Sequence, residues 1–276
     1  MANWDSFDPS GNVEDRRGMT PTLIGGGGIV ALLLALGLNF LGLNVSPTDV
    51  QKAIDTVQVL QGSQADPNTQ SAEFKGADSY EVFTRKVLGS TNATWDGIFA
   101  RNGQTYQQPK LVLFRQATKS GCGMAMTQVG PHFCPNDGTI YVDETFFDEL
   151  KTRFGAQAGD VAQAYVIAHE VGHNVQAQLG AFDSGMPSNA ESIQIELQAD
   201  CYAGVWAYTV KSKGDFTAAD IDQALSAAAA VGDDHVQEVT TGRVDRESWT
   251  HGSSEQRKAA FTRGFETGQP AKCIDF

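Results

Sequence analysis

The residues best suited to chemistry lie in one short segment, the pentapeptide HEVGH at residues 169–173. The surrounding apolar pattern predicts a helix over 160–179. Two histidines four positions apart on a helix project from the same face, so both imidazoles can bind one metal ion. Glu170 lies beside that face, where its carboxylate could deprotonate a metal-bound water. The alternative is a helix with two structural histidines, because such a pentapeptide can also arise by chance.

A third ligand would distinguish a metal site from two structural histidines. Glu196 and Asp200 are again four positions apart, on a second predicted helix over 188–211. One carboxylate can complete the metal site, and the other can accept the Nδ1–H of a ligating histidine and so fix its tautomer. Two histidines, one carboxylate and an open position for water are the arrangement of a catalytic zinc site. Other downstream candidates for the third ligand are Asp183, Glu191 and His235.

The pattern around these motifs predicts an α+β fold with a small sheet and a mainly helical C-terminal part. Apolar runs rich in β-branched residues predict strands at 110–115 and 139–143, and helical spacing predicts a helix over 79–100. The segment around His235 is expected to be a solvated turn. Besides the two helices that carry the motifs, helices are predicted over 146–154, 217–231 and 253–266.

The acidic composition limits the kind of partner. The chain has 33 Asp and Glu against 20 Lys and Arg, a formal net charge of −13. Nucleic-acid-binding domains carry a basic face, so no nucleic-acid partner is expected. Hydrophobic residues make up 41% of the chain, which excludes an intrinsically disordered protein.

An uncharged apolar stretch at 23–43 has about the length of a bilayer-spanning helix. Arg16 and Arg17 precede it and no basic residue follows until Lys52, which by the positive-inside rule places the N-terminus in the cytoplasm. A cleaved signal peptide and a buried core helix are the alternatives. We expect a single-pass protein of the cell membrane, anchored in the lipid bilayer, with a cytoplasmic tail at 1–22, a transmembrane helix at 23–43, a juxtamembrane linker at 44–78 and an extracytoplasmic domain at 79–276.

The four cysteines are consistent with export. None belongs to a C-x-x-C pair, so a cysteine-ligated zinc site is not expected. Four cysteines allow three connectivities. We expect Cys122–Cys134, which closes a short loop, and Cys201–Cys273, which ties the C-terminus to a helix. Free buried thiols are the alternative.

HEVGH followed by ELQAD resembles the gluzincin pattern H-E-x-x-H…E-x-x-x-D. The chain is similar over almost its whole length to a bacterial neutral zinc metallopeptidase family, in the stretches NVEDRRG, PKLVLF, SGCG, GPHFCP, IYVDETFF, AHEVGHNVQ, ELQADCYAGVWA and SSEQRKAAFTRGF. This resemblance implies an N-terminal membrane segment and a zincin-like peptidase domain that binds one zinc ion. It also implies His169, His173 and Glu196 as ligands, Glu170 as the catalytic base and Asp200 as the partner of a ligand.

The segment THGSSEQR at 250–257 resembles the late His…Arg segment of membrane-linked gluzincins, in which both residues face the substrate. Gly252 stands where that pattern has a proline. The resemblance makes His251 a candidate for stabilising the oxyanion of a tetrahedral intermediate. It makes Arg257 a candidate for holding a substrate carbonyl or bracing Glu196. An exposed loop histidine and an ordinary ion pair at a helix start are the alternatives.

The sequence therefore predicts a membrane-anchored zinc endopeptidase that acts on a peptide or protein substrate. A bound zinc ion lowers the pKa of its water to about 7, and Glu170 would carry the proton to the leaving amine. By analogy with zincin folds, the predicted strand at 139–143 could pair with an extended substrate. The alternatives are a non-catalytic, membrane-tethered binding module with a vestigial zinc site, and a zinc hydrolase of a non-peptide amide.

Overall fold

A small mixed sheet packed against helices forms the scaffold of the protein. The computed structural model describes residues 2–18, 78–157, 159–182, 187–212, 215–274 and 276. Within these ranges, four strands form one sheet and two others form a hairpin. The strands are β1 (Val13–Asp15), β2 (Lys110–Phe114), β3 (Ala117–Ser120), β4 (Gly123–Met126), β5 (His132–Cys134) and β6 (Thr139–Asp143).

The strand order of the sheet is β1-β2-β6-β5. β1, β2 and β6 run parallel, and β5 pairs antiparallel with β6. β2 and β6 are almost entirely buried, which explains their continuous apolar runs. β6 lies between β2, which pairs along its whole length, and β5, which pairs with residues 139–141, so the expected pairing of 139–143 with a substrate is wrong. The edge of the sheet on that side is β5.

The helices account for most of the remaining described residues. Predicted and observed ends agree to within two residues, and the α+β prediction with a mainly helical C-terminal part is confirmed. The helices are α1 (Ser79–Arg101), α2 (Phe146–Thr152), α3 (Asp160–Gln178), α4 (Asn189–Ser212), α5 (Ala218–Ala230), α6 (Asp233–Thr241) and α7 (Ser254–Thr267).

α6 and several short strands were not predicted. α6 occupies the segment expected to be a solvated turn, and His235 Nε2 lies 2.8 Å from the carbonyl oxygen of Phe154. No residue of α6 is buried, so it lacks the apolar stripe that reveals a helix in a sequence. β1 and β5 have three residues each, too few for a recognisable alternation.

α4 and α7 pack against each other through glycine. A Cβ at Gly204 would overlap the carbonyl oxygen of Phe261, and a Cβ at Gly264 would overlap that of Cys201. The two backbones can approach this closely only because both positions lack a side chain. This packing brings the first turn of α7 against α4, close to the predicted metal ligands.

Two disulfides are present, and they are the pairings expected from the sequence. Cys122–Cys134 joins the β3–β4 turn to β5, and Cys201–Cys273 joins α4 to the C-terminal segment. Cys201 and Cys273 are both fully buried. The C-terminal segment is therefore held covalently against α4.

Residues 2–18 belong to the same compact unit as the domain. β1 pairs with β2 in the register Val13–Leu111, and Phe7 and Val13 are part of the main hydrophobic core. A single membrane crossing between residues 18 and 78 would place β1 and β2 on opposite sides of a bilayer. The predicted separation of a cytoplasmic tail from an extracytoplasmic domain is therefore wrong.

The expected span at 23–43 lies outside the described residues, and so does the expected linker at 44–78 except for Asp78, which is the N-cap of α1. In the part of the chain that the structure describes, no helix combines the length and the apolar character needed to cross a bilayer. The prediction of a single-pass membrane protein is corrected accordingly.

Arg17 fastens the N-terminal segment to the domain. Its side chain is fully buried and pairs with Asp15 at 2.7 Å, Asp78 at 3.0 Å and Glu144 at 2.5 Å. These carboxylates come from β1, from the N-cap of α1 and from the residue that follows β6. Burial raises the pKa of Asp15 and Asp78, but hydrogen bonds from the Arg17 guanidinium outweigh this effect and lower both pKa values.

Replacing Arg17 by Met should lower the free energy of unfolding at pH 7 by about 2–3 kcal/mol, because three carboxylates lose their shared partner while remaining partly exposed. The lowered pKa values mean that the stabilisation is complete above the unfolded carboxyl pKa of about 4 and is lost as the pH falls through the folded values. The difference between wild type and variant should therefore shrink in urea unfolding at about pH 3.

Arg16→Met is the matched control, since Arg16 pairs with the more exposed Glu14. We expect it to cost less than about 1 kcal/mol. The assigned role of Arg17 would be contradicted if both variants lost the same free energy of unfolding. It would also be contradicted if the loss in Arg17→Met did not depend on pH.

Candidate metal centre and active site

α3 carries the HEVGH segment through the core of the domain. His169 and Glu170 are both buried. Gly172 faces α4, where an added Cβ would lie 3.0 Å from the carbonyl oxygen of Ala199. The missing side chain therefore lets α3 approach α4 closely. This approach brings the histidine face of α3 within reach of Glu196.

The three expected ligands meet at one point. His169 Nε2 lies 3.1 Å from Glu196 Oε2, and His173 Nε2 lies 3.4 Å from Glu196 Oε1. The two Nε2 atoms are 3.1 Å apart, and one donor atom from each residue lies within 4.8 Å of the other two. Donors bound to tetrahedral zinc at the usual bond lengths are roughly 3.4 Å apart. The three side chains could therefore hold one zinc ion and leave a fourth position for water.

The other candidate ligands lie elsewhere. Glu191 is exposed at the start of α4, where its carboxylate accepts hydrogen bonds from Ser188. His235 contacts the backbone of Phe154. Asp183 lies outside the described residues.

Asp200 lies behind the ligands as a fully buried carboxylate. Its Oδ1 is 2.9 Å from His169 Nδ1 and accepts a hydrogen bond of 2.5 Å from the Tyr165 hydroxyl. Arg257 donates to both carboxylate oxygens, at 2.8 and 3.0 Å. Burial raises the pKa of Asp200, but the charges of Arg257 and His169 outweigh it and the pKa is lowered. An ionised carboxylate only accepts, so His169 Nδ1 carries a proton and Nε2 is the ring nitrogen that could bind a metal.

Arg257 lies at the inner wall of the cleft, and its guanidinium is bound to Asp200. It is 3% exposed, and its guanidinium lies 3.8 Å from Glu196 at the nearest atoms, farther than from Asp200. The expectation that it holds a substrate carbonyl stays a prediction. Tyr165, which the sequence analysis did not single out, shares the same carboxylate. Its position one helical turn before His169 was the feature of the sequence that could have indicated a contact with the same carboxylate.

The electrostatics of the site favour positive charge. Burial lowers the pKa of His169, but the carboxylates of Asp200 and Glu196 outweigh it and raise the pKa to about 10. Burial raises the pKa of Glu196, but the charges and hydrogen bonds of the two histidines bring it well below its usual value. A buried site with this charge balance stabilises a proton or a metal cation.

A cleft of about 610 Å³ opens onto the ligands. Glu170 lines it beside His169 and His173, and so do residues 130–133 at the edge strand β5. Its walls also include apolar side chains from α3 and the elements around it, among them Phe133, Phe146, Phe154, Val166 and Val236. Glu170 and the three converging side chains therefore line the same cleft.

His251 also lines the cleft, and Asp233 positions it. Asp233 Oδ1 lies 3.2 Å from His251 Nδ1, while Oδ2 accepts the backbone N–H groups of Thr250, His251 and Gly252. Burial lowers the pKa of His251, but its hydrogen bond to Asp233 and the nearby Glu196 charge raise it overall. The sequence analysis placed Asp233 in a solvated turn and missed this role.

Gly252 explains the departure from the resembled pattern. Its φ is +86°. A proline ring fixes φ near −65°, so proline cannot occupy this position in the observed turn. The backbone after His251 therefore has a conformation that a proline could not adopt, although His251 still lines the cleft.

Comparisons with known proteins show the family of the chain. The family described as "putative neutral zinc metallopeptidase" matches residues 2–276. The uncharacterized protein YpfJ of Escherichia coli K12 is 39% identical over an alignment of 292 positions, which covers 99% of this chain and 98% of that protein. The uncharacterized protein Rv2575 of Mycobacterium tuberculosis is 43% identical over 215 positions, covering 73% of each chain.

No solved structure matches the chain significantly. The family match nevertheless spans nearly every residue and includes both helices that carry the converging His and Glu residues. The chain therefore belongs to the neutral zinc metallopeptidase family.

Proposed function

We propose that the protein is a zinc-dependent endopeptidase whose zinc ion is held by His169, His173 and Glu196. The convergence of these three donors beside Glu170, in a cleft, is the observation that carries the proposal. A closed structural site would supply four protein ligands, whereas the described residues offer three. The site thus has the donor set of a catalytic centre.

Glu170 is the general base in this proposal. When bound, zinc supplies the positive charge that acidifies a water molecule and polarises a carbonyl group. The Glu170 carboxylate would accept a proton from the attacking water and deliver it to the leaving amine. Its position next to His169 in the sequence, on the cleft side of α3, supports this role.

The edge strand β5 is the proposed binding surface for an extended substrate. β5 pairs with β6 on one side only, and residues 130–133 line the cleft. An extended peptide could add to this edge through main-chain hydrogen bonds. β5 thus takes the role that the sequence analysis gave to 139–143. An edge that binds main chain suits internal segments of a polypeptide.

His251 is proposed to stabilise the oxyanion of the tetrahedral intermediate. Asp233 holds its Nδ1, which directs the other ring nitrogen away from that carboxylate. The raised pKa favours a protonated ring, and a protonated ring can donate to a developing negative charge. Arg257 and Tyr165 serve in this scheme as positioning residues that fix Asp200.

Replacing Glu196 by Ala should reduce bound zinc from about one ion per chain to a small fraction, because two imidazoles alone leave the cation without its carboxylate. Elemental mass spectrometry of the purified full chain measures this. Glu266→Ala, at an exposed position near the end of α7, is the control and should keep its zinc. Full zinc content in Glu196→Ala would show that another residue is the third ligand.

Replacing Glu170 by Gln tests the proposed function directly. We expect zinc content to stay within twofold of wild type and kcat on a quenched-fluorescence peptide library to fall about 10²–10⁴-fold, because the amide cannot accept the proton. Glu149→Gln, which alters another carboxylate lining the cleft, should retain activity within a few-fold. Wild-type protein that binds zinc but hydrolyses no peptide in the library would favour a non-catalytic binding module or hydrolysis of another amide.

Replacing His251 by Ala should lower kcat by about 10²-fold, since a donor to the developing oxyanion is lost. The zinc content should not change, because His251 is not among the converging ligands. Parallel kinetics and metal analysis separate the two effects. A variant that loses zinc in proportion to activity would refute the oxyanion role.

A further inference from the structure

Gln176 lies one turn after His173 on α3 and is fully buried. Its Oε1 is 2.8 Å from His173 Nδ1. Its Nε2 donates to the carbonyl oxygen of Ile195 at 2.7 Å and to Gln198 Oε1 at 2.9 Å. All the hydrogen-bonding atoms of this amide are thus engaged between a metal ligand and α4.

The direction of the Gln176 amide is set by the backbone. The Ile195 carbonyl can only accept, so the amide nitrogen must face it. The amide oxygen then faces His173, and an oxygen in that position requires a proton on Nδ1. His173 is therefore held as the tautomer whose Nε2 has a lone pair for a metal.

The same reasoning extends to the C-terminal segment. Gln198 Nε2 donates to the carbonyl oxygen of Cys273 at 2.8 Å. That carbonyl can only accept, so the Gln198 amide is also fixed in direction and offers its oxygen to Gln176. Cys273 is joined to Cys201 on α4 by a disulfide. Three hydrogen bonds thus run in one direction from His173 to a covalently held segment.

We propose that Gln176 is the positioning residue of His173, and that the amides of Gln176 and Gln198 form a relay that couples the C-terminal segment to the metal site. This inference rests on the zinc site of the proposed function. Hydrogen bonds aligned in one direction polarise one another. The relay therefore also makes the lone pair of His173 Nε2 a stronger electron-pair donor to a metal ion. His169 has a carboxylate in the corresponding place, so the two imidazoles are oriented by different chemistry.

The first test compares the zinc dissociation constants of full-chain variants, measured by competition with a fluorescent chelator. Gln176→Met keeps an unbranched chain of similar length but removes the amide. We expect zinc to bind 10–100-fold more weakly, the usual cost of losing such a partner. Gln198→Met removes the more distant member and should weaken binding by a smaller factor.

Gln178→Met is the matched control. Gln178 is on the same helix and makes hydrogen bonds to Gln107 and to the carbonyl oxygen of Asn174, but it does not contact the ligands. Its zinc affinity should equal that of wild type. Wild-type affinity in Gln176→Met, or equal weakening in Gln176→Met and Gln178→Met, would overturn the proposal.

The second test needs no substitution and decides the question if Gln176→Met fails to fold. In the zinc-loaded full chain labelled with ¹⁵N-histidine, His173 should show a protonated Nδ1 and a metal-bound Nε2 by NMR. An unprotonated Nδ1, or coordination through Nδ1, would overturn the proposal. Neither test measures hydrolysis, so a zinc protein with no peptidase activity would refute the proposed function and leave this inference intact.

Discussion

The buried carboxylate of Asp200 is the interaction on which the site depends. It comes from α4, and its partners are Tyr165 and His169 from α3 and Arg257 from α7. An unpaired charge at a position with no exposure would cost several kcal/mol, on the order of 3–5 when one partner of a buried pair is removed. The three helices must therefore keep these relative positions, so that the buried charge of Asp200 keeps its partners. The same arrangement points His169 Nε2 at His173 and Glu196.

This arrangement is possible because glycines allow the helices to approach. Gly172 brings α3 against α4, and Gly204 and Gly264 bring α4 against α7. A larger side chain at any of these positions would separate the helix backbones. The ligands would then be displaced together with Asp200 and Arg257. The geometry of the candidate metal centre thus depends on residues that carry no functional group.

The N-terminal segment shows how a local pattern can mislead about organisation. The apolar stretch at 23–43 and the arginines before it satisfy the rules for a membrane anchor when read alone. The pairing of β1 with β2 and the burial of Arg17 among three carboxylates place residues 2–18 in the same unit as the domain. β1 and β2 are separated by nearly a hundred residues of sequence. The residues around β1 contain no pattern that predicts a strand, because β1 is stabilised only by its pairing with β2.

The sequence by itself determined those features of the fold and of the candidate site that depend on short-range periodicity. The i, i+4 spacing of His169 and His173, and of Glu196 and Asp200, follows from the geometry of a single helix. The long helices, β2 and β6 carry enough apolar repetition to be recognised. Residues that act across elements could be found only in the tertiary structure: Asp233 beside His251, Gln176 behind His173, and the edge strand β5. The physical reason is that a hydrogen-bond partner is chosen by proximity in space, whereas periodicity reports only which face of an element is buried.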